Sequence, residues 1–282
     1  MKPYYIFIDI DGTLVGDNGY VPQSAVTAIR TARQNGHRIF LSTGRSKPEI
    51  YDFILDIGID GIIGAGGGFV ENNGEMLYHQ KMPEASVRHI LDFFITHDMD
   101  YYLESNDGLF TSPNFIPQVE KILYGEKVIH DPELLEEKRS HPHPFIAGLT
   151  PSSQHEYHPD INKICFLEHP NVPFEKILTN FSEEFEVHQS TVPAFGENSG
   201  ELAIKGVHKA KAIQHLLEKL DHPLEQTFAI GDGLNDVEML LYCSIGVAMD
   251  NAKPGLKSIA DDITDSVEND GLAKSFKKYG LV

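Results

Sequence analysis

The apolar positions of this chain fall into short unbroken runs separated by stretches of helical spacing. Tyr5-Ile6-Phe7-Ile8 is such a run, the mark of a strand buried on both faces as in a parallel sheet. It breaks at Asp9-Ile10-Asp11-Gly12-Thr13. Residues 22–35 place Ala25, Val26, Ile29 and Ala32 on one helical face, with Pro22 suited to a first turn and Gly36 to the end. Ile39, Phe40 and Leu41 mark a second strand over 37–42. Ser46-Lys47-Pro48-Glu49 has capping-box spacing and opens a second predicted helix, with Ile50, Phe53, Ile54 and Ile57 on its core face and Gly58 closing it. Ile62-Ile63 is a short third strand. Asn73-Gly74 then signals a hairpin between Phe69-Val70 and Met76-Leu77-Tyr78. The order β-α-β-α-β plus a hairpin predicts a doubly wound α/β beginning.

The pattern changes near residue 83. Aromatic residues, prolines and most of the histidines crowd into 83–193. The spacing there predicts a helix over 84–97, strands at 100–104, 109–111, 163–167 and 186–188, and a helix over 174–181. Tyr101-Tyr102 and Phe93-Phe94 are expected to pack this module's core on alternate faces. Doubly wound order resumes with a helix over 207–220, a strand at 227–230, a helix over 234–241, a strand at 244–248, a short strand at 263–264 and a helix near 272–278. The prediction is one discontinuous α/β domain, 1–82 and 194–282, carrying an inserted α+β domain over 83–193.

A chain of 282 residues with 41% hydrophobic content can form two cores. Its formal charge of −19 argues against nucleic acid and against an anionic membrane surface. A small anionic substrate stays compatible, because a metal and a few placed cations reverse the field locally. Cys165 and Cys243 form no metal-like or disulfide pattern, which fits a reducing compartment. No apolar stretch approaches the roughly 18 residues of a membrane span, and the N-terminus reaches Asp9 too early for a signal peptide. A cytoplasmic protein is the expectation.

Asp9 and Asp11 stand where a buried strand ends. Carboxylates there cost several kcal/mol each unless compensated, and a divalent cation at the strand's carboxyl end compensates them. Ile230-Gly231-Asp232-Gly233-Leu234-Asn235-Asp236 repeats the arrangement, so Asp232 is expected to approach Asp9. Such oxygen donors suit Mg²⁺; zinc would call for histidine or cysteine, absent from both motifs. Ser42-Thr43-Gly44-Arg45 ends another strand in two hydroxyls able to donate to a phosphoryl oxygen. Lys205, Lys209 and Lys211 are competing cations, and spacing alone does not choose among them.

Asp9-x-Asp11-Gly12-Thr13, the strand-end Thr43, Lys209 and Gly231-Asp232-Gly233-x-Asn235-Asp236, in that order, resemble the haloacid dehalogenase superfamily of phosphatases. Gly206-Val207-His208-Lys209, Asp250-Asn251-Ala252, Asp270-Gly271 and the position of the insert resemble its Cof-type branch. The resemblance implies a Rossmann-like core with a mobile cap and Mg²⁺-dependent hydrolysis of phosphate monoesters: sugar phosphates, nucleotides, flavin mononucleotide or pyridoxal phosphate. It implies that Asp9 attacks phosphorus and that Asp11 protonates the leaving oxygen. Thr43 and Lys209 would hold the phosphoryl oxygens, with Gly12, Thr13, Ser42, Gly44, Arg45 and Asn235 also lining the substrate. Asp9, the Asp11 carbonyl, Asp232 and Asp236 would hold the metal. The implied partner is a small phosphorylated metabolite, and the chain a monomer or homodimer. A phosphomutase on the same core, a phosphonatase and a catalytically silent phosphate-ligand sensor are the alternatives.

Gly66-Gly67-Gly68 departs from the Asn-Gly-Ala that such proteins often place after the third strand, so a side-chain amide is missing there. His141-Pro142-His143-Pro144, His155 and His158 are expected on a surface loop of the insert. Glu133–Glu137 and Asp261-Asp262 are read as solvated acidic surface.

Overall fold

The computed structural model describes residues 3–153, 156–190 and 192–282, so His155 lies outside the described residues. In chain order the strands are β1 (Tyr5–Ile8), β2 (Arg38–Ser42), β3 (Gly61–Gly64), β4 (Phe69–Asn72), β5 (Glu75–His79), β6 (Tyr101–Ser105), β7 (Leu109–Thr111), β8 (Leu149–Pro151), β9 (Ile161–Phe166), β10 (Phe185–Gln189), β11 (Gly200–Ile204), β12 (Thr227–Gly231), β13 (Ile245–Ala248) and β14 (Asp262–Ile263). The chain divides into two compact units: residues 1–45, 50–79 and 207–282, and residues 46–49 with 80–206.

The first unit is a Rossmann-like sheet in the order β14-β13-β12-β1-β2-β3-β4-β5. Strands β14 through β3 run parallel, and β4 and β5 turn back as the hairpin expected at Asn73-Gly74. Successive side chains of a strand face opposite sides, and β1 uses both. Ile6 and Ile8 join Ile29, Leu272 and Phe276 under the helices Gln23–Gln34 and Gly271–Lys278. Tyr5 and Phe7 join Phe40, Ile213 and Leu216 under the helix Lys209–Leu220. Covering the sheet on both faces is why its central strands read as unbroken apolar runs.

The second unit is an α+β module with a six-stranded sheet, β10-β11-β9-β6-β7-β8. Strand β11 pairs antiparallel with both β9 and β10. The insert therefore runs to 206, past the edge expected near 193. Helices Glu84–Thr96 and Phe174–Phe181 pack Val87, Ile90, Phe94, Ile177 and Phe181 on one face of the sheet with Tyr101, Ile164 and Leu202. Tyr102 and Cys165 face the other side with Phe115 and Val119 of the helix Phe115–Tyr124. Tyr101 and Tyr102 thus alternate as expected, whereas Phe93 and Phe94, neighbours on a helix, both pack toward the same core.

Two local readings are corrected. The predicted helix after Ser46 is broken into a 3-10 turn, Lys47–Glu49, and a single helical turn, Asp52–Leu55. Only half of the capping box forms: Ser46 N–H donates to Glu49 Oε2 at 2.9 Å, but the Ser46 hydroxyl donates instead to buried Glu104 Oε2. Phe53 consequently turns outward and is 47% exposed, while Ile50, Ile54 and Ile57 stay in the core. Asp261 and Asp262 are more than solvated charge, since Asp261 accepts from Gly246 N–H and Asp262 pairs with Lys278. Among the described residues no helix is long and apolar enough to cross a membrane.

Candidate active site

Strands β1 and β12 are parallel neighbours with Ile8 opposite Ile230, so Asp9 and Gly231-Asp232 leave the sheet side by side. Asp9 N–H donates to Ile230 O at 3.0 Å and fixes that junction. Lys209, the first residue of its helix, is 1% exposed, and its Nζ donates to Asp9 Oδ1 at 2.6 Å and to Asp236 Oδ1 at 2.5 Å. A cation in a helix's first turn opposes the macrodipole; the two carboxylates outweigh that cost. Burial alone would lower the Lys209 pKa, but Asp9 and Asp236 raise it above its ordinary value. Lys205 and Lys211 are exposed, so burial separates three lysines that spacing left equivalent.

Asp236 is fully buried and anchors its own loop: Oδ2 accepts from the backbone N–H groups of Asp232 and Gly233 at 3.1 and 2.9 Å. Asp232 accepts from the Thr13 hydroxyl at 3.0 Å. Gly12, at φ +82°, presses against the same carboxylate, and a β-carbon there would lie 2.3 Å from Asp232 Oδ2. Only glycine fits that approach.

Asp11 stands apart from the cluster. Its side chain is 61% exposed and is gripped by Arg45, with Nη2 and Nε donating to its two oxygens at 2.5 and 2.9 Å. Thr43 is buried at the end of β2, where its N–H donates to Ile63 O and its hydroxyl accepts from Arg45 N–H. Its proton is therefore left to donate elsewhere. Ser42 Oγ is buried with no hydrogen-bond partner among the described residues. A β-carbon at Gly44 would lie 3.8 Å from Asn235 Nδ2, which puts that amide beside the Thr43-Gly44-Arg45 turn.

The missing amide at Gly66–Gly68 has a structural counterpart that spacing does not reveal. Gly67 adopts φ +109°, and a β-carbon on it would lie 2.5 Å from His208 O and 3.1 Å from Lys209 N. The bare glycine backbone is the shoulder against which the Lys209 helix begins. Gly66 N–H donates to Thr43 O at 2.9 Å, so the same loop also braces Thr43. A second overlooked residue is Asn251, whose Nδ2 donates to Gly12 O at 2.7 Å; its only signal in sequence was its place in Asp250-Asn251-Ala252.

Asp9, Asp232 and Asp236 each offer an oxygen within 4.8 Å of the others. Burial and the negative charge of Asp236 hold Asp9 well above the usual carboxylate range, against the pull of Lys209. Burial pushes Asp232 up to about 6, opposed by the Thr13 hydrogen bond. Three carboxylates face one ammonium, an excess that a divalent cation would balance, and the all-oxygen donor set fits a hard ion such as Mg²⁺.

The family model described as haloacid dehalogenase-like hydrolase matches residues 6–276. Phosphatase YwpJ of Bacillus subtilis (strain 168) is 28% identical over 290 residues, covering 96% of this chain and 98% of that one. The 5-amino-6-(5-phospho-D-ribitylamino)uracil phosphatase YitU of the same strain is 25% identical over 285 residues, 99% of this chain and 98% of that one. A solved protein from Geobacillus kaustophilus HTA426 shares the fold at a TM-score of 0.80 with 24% identity, covering 99% of this chain and 100% of that one. With a match running from β1 to the last helix, the chain belongs to the haloacid dehalogenase-like hydrolases.

Proposed function

We propose that the chain is a Mg²⁺-dependent phosphatase that hydrolyses phosphate monoesters of small metabolites through a phosphorylated Asp9. The observation that carries this reading is the buried contact of Lys209 with Asp9, beside Asp232 and with Asp11 just outside the cluster. The full-length similarity to YwpJ and YitU, both named phosphatases, supports the class of reaction.

Asp9 Oδ attacks phosphorus, and the bond from phosphorus to the leaving oxygen breaks as the carboxyl–phosphorus bond forms. Once the substrate has displaced Arg45 from its two oxygens, Asp11 takes up a proton from solvent and gives it to the leaving oxygen. It then takes a proton from the water that attacks the phosphoryl-aspartate, which releases inorganic phosphate and restores Asp9. Splitting the hydrolysis this way replaces one slow step by two easier ones. Lys209, the Thr43 hydroxyl and the Asn235 amide hold the phosphoryl oxygens in line, where positioning and charge stabilisation supply most of the catalysis. Ser42, whose hydroxyl has no partner among the described residues, and the Gly12-Thr13 and Gly44-Arg45 turns complete that lining. Magnesium held by Asp9, the Asp11 carbonyl and Asp232, supported by Asp236, would supply the positive charge that lets a carboxylate approach an anionic phosphate. Arg45 keeps Asp11 oriented until the substrate's leaving oxygen takes its place beside the carboxyl.

The test is a panel of phosphorylated metabolites assayed with Mg²⁺, alongside Asp9→Asn. Turnover by the native chain, lost in Asp9→Asn with the circular dichroism spectrum unchanged, is the expected result. Retained turnover in the variant would remove Asp9 as the nucleophile.

A further inference from the structure

We propose that Asn251 is a positioning residue for the divalent-cation site: its carboxamide pins the Gly12–Thr13 peptide, and through Thr13 it holds Asp232 in register with Asp9. The inference rests on the metal-dependent reading above. Its starting point is the turn that follows β13, which touches both carboxylate loops at once. Met249 N–H donates to Gly231 O at 3.0 Å and Lys253 N–H to Asp232 O at 3.3 Å, so its backbone is stitched to the loop of Asp232. The Asn251 side chain reaches the other loop, with Nδ2 2.7 Å from Gly12 O.

The turn is stiff for an exposed segment. Met249 is buried in the core on one face of the sheet and Ala252 in the core on the other. Ala252 N–H closes the turn onto Met249 O at 3.0 Å. Asn251 is thus presented from a fixed frame between two buried anchors.

What it holds needs holding. Gly12 has no side chain to restrict it, and glycine is required there by the approach to Asp232. Among the described residues the Gly12–Thr13 peptide has two anchors, a long 3.3 Å bond from Thr13 N–H to Ile10 O and the shorter one from Asn251, while Gly12 N–H on the preceding peptide donates to Val15 O at 2.9 Å. Thr13 then passes that constraint on, because its hydroxyl donates to Asp232 Oδ1. Loss of the Asn251 amide removes the shorter of the two anchors, leaves the peptide on the long Thr13 bond, lets Thr13 shift and loosens the carboxylate on which the cation depends. Outer-shell partners of this kind change metal affinity by about 10–100-fold.

The experiment is a calorimetric titration of the full chain with Mg²⁺, comparing the native protein with Asn251→Ala, Asn251→Gln and Lys257→Ala. Lys257 makes an exposed pair with Asp250 in the same turn and controls for general loosening. Both Asn251 variants are expected to bind Mg²⁺ about tenfold more weakly or worse, with most of the activity returning at saturating Mg²⁺. Lys257→Ala should bind as the native chain does. Asn251→Gln retains an amide one methylene further out, so a folding defect in the alanine variant cannot pass for lost affinity. Native affinity in both Asn251 variants, or equal weakening in Lys257→Ala, overturns the inference. Absence of Mg²⁺ binding by the native chain instead overturns the metal-dependent reading on which it stands.

Discussion

The Lys209 ammonium lies 2.6 Å from Asp9 Oδ1, and the two residues, 200 positions apart, come from the first turn of a helix and the residue just past the end of β1. One cation therefore serves two ends. It neutralises part of a buried anionic cluster in the resting protein and, in the proposed reaction, holds a phosphoryl oxygen beside Asp9. Lys209→Ala should lower turnover by about 10²–10³-fold, the scale of losing one placed electrostatic contact. It should also reduce stability in the absence of divalent cations, since breaking a buried pair costs about 3–5 kcal/mol. Exposed Lys205→Ala should behave as the native chain. Steady-state kinetics and denaturant unfolding in EDTA check both, and equal losses in the two variants would refute the assignment of Lys209.

The Asp11–Arg45 pair leads to a prediction about leaving groups. Asp11 is mostly exposed and pairs with a partly exposed arginine, so breaking the pair should change stability by no more than about 1 kcal/mol. Its chemical effect should be selective. An alkyl leaving oxygen needs a proton as it departs, whereas a nitrophenolate leaves without one. Asp11→Asn should slow phosphorylation of Asp9 by alkyl phosphates about 10²–10⁴-fold and by p-nitrophenyl phosphate far less. Rapid-quench measurement of the burst with each substrate reads this directly. Equal slowing for both would show that Asp11 is no proton donor.

How much of this was legible beforehand follows from what each feature depends on. The parallel strands could be read because burial on two faces leaves an unbroken apolar run, as at Tyr5–Ile8. The carboxylate cluster could be read because parallel neighbours end on one edge. Lys209 could not be chosen on spacing, since burial depends on the glycine shoulder at residue 67, far away in sequence. The Arg45 grip on Asp11 joins residues 34 apart and leaves no local pattern. Strand β11 escaped notice because only Leu202 among its central residues is a large, fully buried side chain, and its partners lie far off in the chain. The break after Ser46 arises because its hydroxyl serves Glu104 rather than the helix.

That same Glu104 shapes a prediction about pH. In the insert's unit, burial and the adjacent charge of Glu104 raise Glu49 from 4.5 to about 8. Between those values the folded chain keeps a proton that the unfolded chain has released. The folded state is thus favoured by low pH, and this group's contribution becomes progressively unfavourable as pH rises from about 4.5 to 8. Glu49→Gln keeps a neutral hydrogen-bonding group throughout. Its urea midpoint should fall less between pH 5 and pH 8 than that of the native chain, and it should be the more stable of the two at pH 8. Parallel pH profiles would mean that Glu49 does not hold its proton.

Gly66 and Gly67 are adjacent, both at positive φ, and only one has a neighbour to collide with. Nothing lies within 4 Å of a β-carbon on Gly66, whereas one on Gly67 would meet the His208 carbonyl at 2.5 Å. Alanine at either position carries the left-handed penalty of about 1–2 kcal/mol. Alanine at 67 must in addition push back the start of the helix that carries Lys209. Gly66→Ala should therefore lose stability but keep near-native kcat, while Gly67→Ala should lose kcat as well, because Lys209 is drawn away from Asp9 and Asp236. The comparison is decided by kcat at saturating Mg²⁺ and substrate, measured well below the unfolding temperature of either variant. If both keep native kcat, the glycine loop is only a turn and Lys209 is placed by its helix alone.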